Sequence, residues 1–130
     1  MQPKTILLVD DEQICIDSVE MILDGTDYKL MAAASGSQAM EILNEHGSKV
    51  NLILLDLMML DCHGLELLQQ IKDNPKLTTI PIILQTGSHN ERDIAMGISL
   101  GAASCIYKPF KRAALINMID SVLNPHKLNS

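Results

Sequence analysis

Short apolar runs, each cut off by polar residues and followed by a stretch of helical spacing, constrain this chain more than any other feature. Ile6-Leu7-Leu8-Val9, Leu52–Leu55 and Ile80–Leu84 are the strongest, the last interrupted by Pro81 near its start. Lys29–Ala33 and Ser104–Tyr107 are weaker members of the series. The strong runs are continuous rather than alternating, which suits parallel strands covered on both faces.

Between the runs, apolar residues recur at the helical period. Cys15, Val19, Ile22 and Leu23 fall at i, i+4, i+7 and i+8. Ser35-Gly36-Ser37-Gln38 has the S-x-x-Q form of a capping box and leads into Ala39, Ile42 and Leu43. Leu67, Leu68 and Ile71 form a third stripe, which Asn74-Pro75 ends. Ile94, Ala95 and Ile98 form a fourth, weakened by Gly97 and closed by Gly101. Leu115, Met118, Ile119 and Val122 make the fifth. The alternation predicts an α/β fold, a (βα)5 doubly wound, five-stranded parallel sheet in the order 2-1-3-4-5, with flavodoxin-like topology.

At 130 residues the chain is expected to be one domain, spanning residues 1–124, with a polar, frayed C-terminal tail over 125–130. Hydrophobic residues make up 47% but aromatics only 2%, so the core is aliphatic. A net charge of −6 disfavours nonspecific attraction to nucleic acid or anionic lipid. No run approaches the roughly 20 apolar residues of a membrane span. No signal-peptide pattern follows Met1, and a cytoplasmic location is expected. Cys15, Cys62 and Cys105 are odd in number and far apart, form no CxxC, and read as incidental thiols of a reducing compartment.

In an open α/β sheet, ligands bind beyond the carboxyl ends of the strands, where the strand order reverses. Asp10, Asp11 and Glu12 follow the first strand, Asp56 the third, Gln85 and Thr86 the fourth, and Lys108 the fifth. The second strand, at the sheet edge, ends instead in alanines and Ser35. Asp10, Asp11 and Asp56 therefore converge. Two carboxylates about 4 Å apart repel by roughly 4 kcal/mol at an effective dielectric near 20. Three either take up protons or bind a cation, and oxygen-only ligands favour Mg²⁺ or Mn²⁺. The Thr86 hydroxyl and the Lys108 ammonium supply what an incoming phosphoryl group needs, a hydrogen-bond donor and a counter-charge. Singly, each residue has an ordinary structural use: Asp10-Asp11 as a helix cap, Asp56 in a turn, Thr86 as a cap, Lys108 in a solvated loop. Their coincidence on one sheet edge favours a site.

At these residues the sequence resembles the response-regulator receiver domain of two-component signalling, from Thr5 to about Leu123. The resemblance is carried by Ile6–Glu12, Leu55-Asp56-Leu57-Met58-Met59, Gln85-Thr86-Gly87, Gly101-Ala102 and Lys108-Pro109-Phe110, in order and at this spacing. It implies that Asp56 is the phosphoacceptor, attacking a phosphohistidine of a histidine kinase or histidine phosphotransfer protein. It implies that Asp11 and Asp56 bind Mg²⁺ directly, that Met58 offers its backbone carbonyl, and that Asp10 acts mostly through water. Lys108 would pair first with Asp56 and then with a phosphoryl oxygen, and Thr86 would hydrogen-bond the phosphoryl group, with Gly87 leaving room. The output would be a changed surface around the fourth helix, fifth strand and fifth helix, read by a downstream effector or by an output domain outside this chain. Beyond self-catalysed phosphoryl transfer and autodephosphorylation, no enzyme activity is implied.

Two positions depart from the family pattern. Leu60 stands where proline is usual, four residues after the phosphoacceptor, although Gly64 is kept so that the loop can turn. Cys105 stands where an aromatic commonly swings inward, while Tyr107 shares its strand face. Dimers of the transcription-factor branch use acids just before the fifth strand, and Gly101-Ala102-Ala103-Ser104-Cys105 has none, so a monomer or weak dimer is expected. An aspartyl-phosphate phosphatase of the haloacid dehalogenase type would want a second aspartate where Met58 stands. A nucleotide or flavin module would want a glycine-rich loop after the first strand, where acids stand. His46, His63, His89 and His126 read as surface residues, Met59 as core and Met58 as a shield over the site. Lys111 and Arg112 sit poorly at the start of the last helix, which fits a partner-facing or otherwise compensated basic patch and equally a merely tolerated surface choice.

Overall fold

Ile6, Leu7, Leu8 and Val9 are all fully buried, because the strand they form, β1 (Thr5–Val9), has neighbours on both sides and helices on both faces. The structure is a computed structural model that describes residues 3–87 and 91–125. The remaining elements are α1 (Gln13–Leu23), β2 (Lys29–Ala33), α2 (Gly36–His46), β3 (Leu52–Asp56), α3 (Gly64–Asp73), β4 (Ile82–Thr86), α4 (Glu91–Ser99), β5 (Ser104–Tyr107) and α5 (Arg112–Leu123), with a 3₁₀ turn at Gly47–Lys49. The strands form one parallel sheet in the expected order β2-β1-β3-β4-β5. Alternate residues feed two cores. Leu7, Val9, Ile53, Leu55 and Leu84 face α2, α3 and α4, while Ile6, Leu8, Leu52, Leu54 and Ile83 face α1 and α5. Full burial of one such side chain stabilises the fold by about 1.5–3 kcal/mol. Among the described residues no helix is long and apolar enough to cross a membrane.

The expected faces of α1, α2, α3 and α5 are present, with instructive differences, whereas the stripe expected for α4 is not the face it buries. Ile16 joins Val19, Ile22 and Leu23 as buried residues of α1. Half of the capping box forms: Ser35 Oγ accepts the Gln38 N–H at 3.0 Å, while Gln38 Oε1 accepts the N–H of Ala34, the residue before the cap, at 2.8 Å. β4 starts and ends two residues later than Ile80–Leu84. Pro81 has no N–H for the ladder, and Ile80 gives its own to Leu77 in the preceding turn, so only the Pro81 carbonyl joins the sheet, accepting from Ile53. Thus Gln85 and Thr86 close the strand instead of following it.

In α4 the buried residue is Gly97, whereas Ala95 and Ile98 are exposed. A Cβ at Gly97 would stand 2.3 Å from Leu84 Cδ1, so the glycine lets α4 approach the sheet and is more than a weak point in the helix. The awkward Arg112 is compensated locally: its guanidinium donates to the Ile22 carbonyl at 2.7 Å, in the last turn of α1. His89, His126 and residues 126–130 of the expected tail lie outside the described residues.

Candidate functional site

The topology delivers the polar residues to one edge. Asp10 follows β1, Asp56 ends β3, Gln85 and Thr86 end β4, and Lys108 follows β5. Asp56 and Gln85 are register partners, and by strand alternation Asp10, Asp56 and Gln85 leave the sheet on the α1/α5 side. Thr86, one step along, leaves on the other side; it is buried, and its carbonyl accepts the Lys108 N–H at 2.8 Å. The Lys108–Pro109 peptide is cis.

Lys108 is the hub. Its Nζ lies 2.7 Å from Asp10 Oδ2, 3.3 Å from Asp56 Oδ2 and 3.8 Å from Glu12 Oε1. Asp10 is fully buried, and its Oδ2 also accepts the Gln85 Nε2–H at 3.0 Å. Asp10 Oδ1 accepts the Glu12 N–H at 2.9 Å, and Asp56 Oδ1 accepts the Met58 N–H at 3.3 Å. Asp11 Oδ2 accepts the Leu60 N–H at 2.7 Å. Burial pushes the Asp56 carboxyl up to about 6; the Lys108 charge opposes this and the Asp10 charge adds to it. Burial disfavours the Lys108 ammonium, but the hydrogen bond to Asp10 and the Asp56 and Asp10 charges outweigh it, so its pKa lies above the ordinary lysine value.

One carboxylate oxygen each from Asp10, Asp11 and Asp56 lies within 4.8 Å of the others. The carboxylates of Asp10, Asp11, Glu12 and Asp56 therefore outnumber the single Lys108 ammonium. A divalent cation would offset much of the excess negative charge, and the all-oxygen donor set fits a hard ion such as Mg²⁺. Gln85 Oε1, on the amide that bonds Asp10, is buried without a hydrogen-bond partner. A water kept by a bound hard ion would offer this acceptor a donor.

Several features were invisible in the sequence pattern. Gly64 is needed for close approach: a Cβ there would stand 2.3 Å from the Asp56 carbonyl oxygen and 2.7 Å from Leu57 Cα. Its backbone is not left-handed, so its role is contact and not turning. Asp61 caps α2 from a distance, accepting the Gly36 N–H at 3.0 and 3.1 Å and the Ser37 N–H at 3.4 Å. His63 is half-buried and not a free surface residue. Its Nδ1 accepts the Leu65 N–H at 3.1 Å as the cap of α3, and its Nε2 lies 3.3 Å from Asp93 Oδ2 on α4. Cys15, one helical turn past Glu12, brings its sulfur within 4.8 Å of Asp10 and Glu12 oxygens. Burial and then the Asp10 charge raise that thiol's pKa. Met58 is exposed and Met59 half-buried against the α2/α3/α4 core. Cys105 packs partly against the same core and Tyr107 is 40% exposed.

Residues 6–120 match the model of the response regulator receiver domain. The chain is 36% identical over 127 residues to a probable cyclic di-GMP phosphodiesterase of Vibrio cholerae, covering 96% of this chain and 27% of that protein. It is 34% identical over 127 residues to the response regulator Rcp1 of Synechocystis, covering 92% of this chain and 86% of that one. The crystal structure of the Mn²⁺-bound form of response regulator Rcp1 matches with a TM-score of 0.79 at 34% identity, over 94% of this chain and 96% of that chain. The chain spans about a quarter of the Vibrio protein and about half the length of several other regulators it matches.

Proposed function

This chain belongs to the response regulator receiver domain family, and from that premise we propose that it is a phosphoacceptor switch whose acceptor is Asp56. One observation carries the reading: a buried carboxylate at the point where the strand order reverses, 3.3 Å from an ammonium and clustered with two further carboxylates. The donor is a phosphohistidine of a histidine kinase or histidine phosphotransfer protein. An Asp56 oxygen attacks phosphorus, the P–N bond to the imidazole breaks, the imidazole keeps the bonding pair and takes a proton, and an acyl phosphate forms. Lys108 then passes from the Asp56 carboxylate to a phosphoryl oxygen, keeping its bond to Asp10, and the Thr86 hydroxyl donates to another.

Asp10, Asp11 and Asp56, with the Met58 carbonyl, would hold Mg²⁺ or, as in the Rcp1 structure, Mn²⁺. When bound, the ion neutralises the carboxylates and stabilises charge on the transferring oxygens. The phosphoryl group adds about −1.5 to −2 charges at Asp56, and satisfying its oxygens draws on the ends of β4 and β5. The surface of α4, β5 and α5, where Met96, Ile98 and Tyr107 are exposed, is the region that then changes for a downstream effector or output domain. On this reading residues 1–124 are a cytoplasmic receiver unit, a monomer or weak dimer, with no enzyme activity beyond its own phosphorylation and dephosphorylation.

Calorimetric titration with Mg²⁺ tests the acid cluster. Asp11→Ala should weaken binding by roughly tenfold or more. Equal binding by wild type and Asp11→Ala would remove Asp11 from the metal site.

A further inference from the structure

We propose that Leu60 is a positioning residue for metal uptake: its backbone N–H competes with a divalent cation for the Asp11 carboxylate. The inference rests on the metal reading above and concerns how this chain regulates that site. The Leu60 N–H donates to Asp11 Oδ2 at 2.7 Å, while Leu60 as a residue is 99% exposed. Backbone hydrogen bonding, and not side-chain packing, therefore fixes this point of the β3–α3 loop. Proline, usual at this place in the family the sequence resembles, has no N–H and cannot make the bond. The interaction thus requires a residue other than proline here, as this chain has in Leu60.

The loop is tied at its far side as well. Asp61, the next residue, accepts the Gly36 and Ser37 N–H groups at the start of α2. The loop's base is closed by the Gly64 N–H donating to the Leu57 carbonyl at 2.7 Å and by the antiparallel bridge between Met58 and His63. Residues 60 and 61 so form a strap from a metal-ligand candidate to a helix N-terminus. A cation drawing electron density from the Asp11 carboxylate makes it a poorer acceptor, so metal and N–H each weaken the other's hold. Metal uptake loosens the strap at Leu60, and the Asp61 cap on α2 moves with it. Metal occupancy then reads out at α2, remote from α4.

The test compares Mg²⁺ titrations of wild type, Leu60→Ala and Leu60→Pro, with amide exchange and NMR shifts of wild-type Leu60, Gly36 and Ser37. Leu60→Ala keeps the N–H and should bind as wild type does. Leu60→Pro should bind about two- to fivefold more tightly, the worth of one solvent-exposed hydrogen bond. In wild type, Mg²⁺ should speed exchange at Leu60 and shift the Gly36 and Ser37 amides. If a folded Leu60→Pro binds no more tightly than Leu60→Ala, or if wild-type Leu60 keeps its protection at saturating Mg²⁺, the competition does not exist. The exchange measurement decides the matter even if the proline variant fails to fold. A wild type that binds no Mg²⁺ overturns the metal reading and this inference together.

Discussion

Lys108→Met should accept phosphoryl groups from acetyl phosphate roughly a hundredfold or more slowly than wild type, yet bind Mg²⁺ at least as tightly. The rate loss is the usual size for removing one preorganised counter-charge from a buried site. The metal result follows from the same geometry. Nζ lies 2.7 and 3.3 Å from Asp10 and Asp56 oxygens, so the ammonium and a cation neutralise the same carboxylates, and removing one leaves more for the other. Stability should respond in parallel. The Lys108 side chain is 14% exposed and the Asp10 side chain fully buried, and taking one partner from such a group leaves uncompensated buried charge worth about 3 kcal/mol. Urea unfolding should show that deficit without metal and a partial recovery with saturating Mg²⁺. Phosphoryl uptake at the wild-type rate would exclude Lys108 from the chemistry.

Asp56→Asn should be more stable than wild type at pH 7.5 without metal, by on the order of 1–2 kcal/mol. Burial first, with Lys108 opposing and Asp10 adding, raises the folded-state value to about 6 from an ordinary 3.8. Between those values the folded chain holds a proton that the unfolded chain has lost, so wild-type stability falls as pH rises through that window. Above it the folded state carries a buried anion, which the neutral amide avoids. Lys108 keeps Asp10 as a partner in the variant, so its charge is not orphaned. The difference between the two proteins should shrink toward pH 4, and Mg²⁺ should favour wild type. A pH-independent difference, or a less stable Asn variant at pH 7.5, would contradict the electrostatic description of Asp56.

The sheet and the central charges were legible because they depend on strong local signals and one topological rule. Runs such as Leu52–Leu55 must be covered on both faces, and the rule for open parallel sheets then places Asp10, Asp56 and Lys108 together. What could not be read depends on contacts between distant segments. The start of β4 was displaced because Pro81 withholds a ladder donor. Gly97 reads as a helix defect in sequence alone, because its reason is the Leu84 side chain packed against it from β4. Asp61 gave no sign of capping a helix 25 residues away, and the pairing of His63 with Asp93 required α3 and α4 to be packed. The bond from Leu60 to Asp11 is a backbone donation, and side-chain types carry no record of it.

The most direct measurement is the intact mass of the protein after incubation with acetyl phosphate and Mg²⁺. Wild type should gain one alkali-labile phosphoryl group, chelation of the metal should prevent the gain, and Asp56→Asn, with its fold intact, should gain none. A phosphoryl group that Asp56→Asn still acquires, or one that maps to a serine, threonine or histidine, would contradict the assignment of Asp56 as the acceptor.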